Sequence, residues 1–151
     1  MWQGTQHALC VFRAALGTTY MLWAAGSAAD GDSGAIAPSA AVAGVLGTRH
    51  VAQALLTADQ PTSAVLVLGA EADAAHAATM AVLAAVCGRW RWHALADTLI
   101  AASLAAAGCA CAVHAPASVP GAGRLLALRD RWASGLAQRL APSAWLPPGQ
   151  V

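Results

Sequence analysis

The chain has 151 residues, 58% of them apolar and only 10% charged, with a net charge of +1. Eight Arg and seven acidic side chains cannot coat a water-soluble domain of this length, which excludes an ordinary cytosolic globule, and so apolar a chain is not disordered. No basic run is present, which argues against nucleic acid as a partner.

Four apolar stretches follow one another. They cover about 7–26, 35–56, 64–88 and 94–113, each near the roughly 20 residues that cross a hydrocarbon core about 30 Å thick. No alternating strand pattern separates them, so they are read as helices. The separators carry turn chemistry: SAADGDSG from Ser27, ADQPTS from Ala58 and RWRWH from Arg89, with Pro116 and Pro120 closing the fourth span. The second span is the least apolar. It holds Pro38, Ser39, Thr48, Arg49, His50 and Gln53, and its alternative is a short, tilted or re-entrant segment packed against its neighbours. The first span has an alternative as a signal peptide cleaved near Ser27 and Ala29.

After the spans, 121–141 is amphipathic. Leu125, Leu128, Trp132, Leu136 and Leu140 fall on one helical stripe, and four Arg against one Asp give the segment a charge of +3. It reads either as an interfacial helix on an anionic membrane surface or as a helix docked on a partner or on the other helices. The last residues, PSAWLPPGQV, read as irregular. The expected fold class is all-α: an integral membrane four-helix bundle over 1–115, followed by an amphipathic helix and tail over 116–151. Arg124, Arg129, Arg131 and Arg139 of the tail outnumber Arg89 and Arg91 of the third loop, which places both termini in the cytoplasm of a bacterial inner membrane. Trp90 and Trp92 mark an interface belt. The chain has no Lys or Asn and uses Ala throughout, the composition of a GC-rich, for example actinobacterial, genome.

Polar residues inside apolar spans are costly and face one another. Those in question are Arg13, Arg49, His50, Gln53, Glu71, Asp73 and His76. At 1.5 Å per residue they lie about 8–18 Å deep from one side, so spans one to three place polar groups in one leaflet. Asp73 and His76 share a helix face, as do Arg49 and Gln53, and Gly44, Gly47, Gly69 and Ala72 permit close approach. The cluster is either an ion network fixing helix register or a pocket for a small ligand, lipid headgroup or proton. A haem between His50 and His76 is a further alternative. Asp97 is expected near the opposite face, paired with Arg89 and Arg91.

Cys10, Cys87, Cys109 and Cys111 form no CxxC pair and no zinc spacing; they read as small apolar fillers, with no cofactor or metal implied. Neither GxGxxG nor GxxxxGK[ST] occurs, and GDSG at Gly31–Gly34 is read as a turn, not a nucleophile site. No catalytic residue is assigned.

Three stretches, FRAALGTTYMLWAAG, GVLGTRHVAQALL and GAEADAAHAATM, together resemble the DoxX-like group of small four-helix bacterial membrane proteins, over roughly 8–113. The resemblance implies the same architecture. Some members of that group are accessory subunits of membrane redox or stress-response complexes. The functional expectation is a non-enzymatic accessory or assembly subunit, with membrane lipids and a membrane protein or a second copy as partners. The alternatives are a binding or transport module using the Arg/Asp/His cluster, and a lipid- or quinone-directed enzyme with His76 as a base oriented by Asp73.

Overall fold

A computed structural model describes residues 2–29, 37–120 and 123–140. The described residues are helical and contain no strand. The helices are α1 (Trp2–Ala29), α2 (Ala37–Ala58), α3 (Ser63–Val86), α4 (Arg91–His114) and α5 (Arg124–Leu140), with a 3-10 turn at Gly88–Trp90. The GDSG turn and the PSAWLPPGQV tail lie outside the described residues. Ser27 and Ala29 belong to the last turn of α1.

Three helical segments are long and apolar enough to cross a membrane: Gln3–Ser27, Ser63–Val86 and Gly88–His114. Helix α2 is long enough, but Arg49, His50 and Gln53 lower its apolar content, and it does not join them. The helical spans therefore number three on apolarity where four are expected.

The chain divides into two compact units, Gln6–Asp59 and the remainder. In the first, α1 and α2 run antiparallel. Gln6 Nε2 donates to the Thr57 carbonyl at 3.2 Å, and the Cys10 thiol donates to the Ala54 carbonyl at 3.2 Å. Further along, a Cβ built on Gly17 would lie 2.7 Å from the Gly47 carbonyl oxygen, and one on Gly47 would lie 2.7 Å from that of Gly17. The two backbones touch there, which only a residue without Cβ permits. Gly47 thus serves the close approach expected of it, and its partner is Gly17 on α1.

In the second unit, α3 and α4 form an antiparallel hairpin. Buried positions on α4 recur as Ala94, Ala101, Leu104, Ala105, Gly108, Cys111 and Ala112, the three-and-four spacing of a packed seam. A Cβ on Gly108 would meet that of Ala70 at 3.2 Å, so small residues set the separation of the two helices. At the open end of the hairpin the Ser63 amide donates to the Pro116 carbonyl at 2.9 Å. Helix α5 covers that end: Ala133 and Ala137 pack on Ala64 and Val65, with Leu68 alongside. Docking on the other helices, one of the two expectations for this segment, is thus observed for one face of α5.

Candidate functional site: a polar pair between two apolar helices

Within the α3–α4 hairpin, His76 Nε2 and Asp97 Oδ2 are 3.0 Å apart, a hydrogen-bonded pair with one member from each helix. Their side chains are 13% and 16% exposed, so the pair is largely enclosed. His76 lies ten residues before the end of α3, and Asp97 lies six residues into α4. At 1.5 Å per residue that is about 15 Å and 9 Å from the turn end of the two helices.

This arrangement corrects the expectation that Asp97 sits at the membrane face with Arg89 and Arg91. Apolarity alone starts the fourth span at Ala94. The helix begins at Arg91, and the apolar segment extends back through the 3-10 turn to Gly88, so Asp97 is carried inward. The arginines have other partners. Arg91 Nε donates to the Ala84 carbonyl at 3.3 Å, and the Arg89 guanidinium lies 5.9 Å from the Trp90 ring centroid, within cation–π range. Trp90 and Trp92 are both exposed at this turn. The signal for Asp97 is present in the sequence. It falls three residues after Ala94 and four before Ala101, on the stripe that packs against α3.

The other polar residues divide between the two units. Arg13 on α1 and His50 on α2 are buried, while Arg49 and Gln53 on α2 are half-buried. The His50 ring stacks on Tyr20, with centroids 6.3 Å apart and planes within 14°, a contact not foreseen from sequence. In the second unit Asp73 is fully buried one turn before His76, and Glu71 is half-buried. The arrangement argues against haem ligation through His76 Nε2, because that nitrogen is engaged by Asp97. The same bond means that Asp97, from the facing helix, orients the ring.

Among the described residues no three His, Cys, Asp or Glu gather as a metal site requires, and none of the four cysteines forms a disulfide. Chemically, the pair can hold two helices in register, and it can share or release a proton inside an apolar medium. Comparison with protein-family models, with curated proteins and with solved structures finds no match.

Proposed function

We propose that this chain is a small integral membrane protein of a bacterial inner membrane that performs no chemistry of its own and serves as an accessory or assembly subunit of a membrane complex. The observation that carries the reading is the closed His76–Asp97 pair. Each group uses the other to satisfy its polarity across the α3–α4 interface, which suits a staple better than a site waiting for substrate. The resemblance of three stretches to DoxX-like proteins, some of them accessory subunits, points the same way.

The test is purification of the natively expressed protein in mild detergent, with mass spectrometry of everything retained. A stoichiometric membrane partner is the expected result. A homo-oligomer carrying a defined small molecule, with no partner, overturns the reading.

One observation favours a second reading, a proton- or ligand-binding module. Asp73 is fully buried one helical turn from His76, so two acidic groups and an imidazole belong to the same hairpin. Under this reading Asp97→Asn in proteoliposomes abolishes a proton flux seen with the unaltered protein. Under the first reading neither protein conducts.

A further inference from the structure

Helix α5 presents two unlike faces. Ala133 and Ala137 are buried against the first two turns of α3. Roughly a third of a turn around the helix, Leu125, Leu128, Trp132, Leu136 and Leu140 are exposed, Leu125 by 83% and Trp132 by 67%. An apolar stripe that size on a charged helix calls for a cover.

Location and charge say what covers it. The docking point is the first two turns of α3, a 24-residue helix of about 36 Å, longer than a hydrocarbon core of about 30 Å. Helix α5 is therefore fastened where the span leaves the hydrocarbon. The fastening is polar as well as apolar. Thr62 Oγ1 donates to Asp130 Oδ1 at 3.4 Å, and Arg129 Nη2 donates to the Gln60 carbonyl at 3.0 Å while also pairing with Asp130 at 2.8 Å. That pairing neutralises the only acid of α5, so the net positive charge rests on Arg124, Arg131 and Arg139, all exposed. Arg131 and Arg139 flank Leu128, Trp132 and Leu136 around a shallow groove of about 340 Å³.

We infer that the outward face of α5 is a lipid-binding surface, with the Leu/Trp stripe seated among acyl chains and Arg131 and Arg139 on the phosphates of anionic lipids of the bilayer. Aromatic and basic side chains side by side are what the boundary between acyl chain and headgroup accommodates. The inference does not depend on the accessory-subunit reading, because it uses no residue of the His76–Asp97 pair.

The full chain, purified in mild nonionic detergent, is melted with phosphatidylglycerol or phosphatidylcholine added to the micelles. Phosphatidylglycerol raises Tm where phosphatidylcholine does not, and about 0.5 M NaCl removes the difference. Each basic residue near an anionic surface strengthens binding roughly fivefold, so Arg131→Gln with Arg139→Gln requires roughly thirty times more phosphatidylglycerol for the same shift. The lipid-free Tm stays unchanged. Equal effects of the two lipids, an undiminished response of the double variant, or the same shift with inorganic phosphate overturns the inference. So does a dimer of the unaltered protein that Trp132→Gln dissociates, since the cover is then a second copy. If the double variant loses its lipid-free transition, the salt dependence of the unaltered protein decides the matter.

Discussion

Removing either His76 or Asp97 breaks the hydrogen bond that joins α3 to α4 across an apolar interface. His76→Ala and Asp97→Ala each lower Tm in detergent, and the double variant loses less than the sum. The coupling is about 1 kcal/mol, the scale of interhelical hydrogen bonds in membrane proteins. A coupling indistinguishable from zero removes the pair as a staple. Gln60 is the second residue with a sharp expectation. It is the only non-glycine residue at positive φ among those described, at 38°, and its carbonyl receives Arg129. Gln60→Gly is neutral or slightly stabilising, whereas Gln60→Val costs about 1–2 kcal/mol in the same melt, because a β-branched side chain resists the left-handed region. Equal melting of the two variants refutes the strain. That His76 has a polar environment is legible in the sequence, since an ionisable residue in an apolar helix needs one. The identity of its partner is not, because the antiparallel register depends on where α4 starts, and apolarity misjudges that start by three residues.

At the scale of elements, the α1–α2 pair rests on two glycines, and the two contacts of α2 glycines with α1 differ in tightness. A methyl group on Gly17 or Gly47 collides with backbone, while one on Gly44 meets only the Ala24 methyl at 3.8 Å. Gly17→Ala and Gly47→Ala therefore destabilise by about 1–3 kcal/mol, and Gly44→Ala has little effect, as read by thermal unfolding in detergent. Similar melting of all three places the crossing elsewhere. Gly44 and Gly47 look alike in the sequence, and only the register against α1 separates a contact from a bystander. The stripe of α5 is plain from its spacing. Its docked face is not, because Ala133 and Ala137 are too small to stand out among so many alanines, and what buries them is α3.

For the whole molecule, the helical content and the apolar segments follow from composition and separators, whereas the number of crossings does not. Three segments are long and apolar enough to cross, and whether α2, with Arg49, His50 and Gln53, does so depends on what surrounds it. Reporter fusions after residues 34, 60, 88 and 117 measure this. Alternating sides at all four positions show that α2 crosses, and the same side at 34 and 60 shows that it does not. The order of synthesis adds a consequence of the junction around Gln60–Thr62. The segment that locks this turn, α5, leaves the ribosome some sixty residues after the turn itself. A nascent chain stopped before Arg124 lacks Ala133 and Ala137, the residues that cover Ala64, Val65 and Leu68 in the full chain. Helix α5 thus covers the first turns of α3, and it is the last of the described helices to be synthesised.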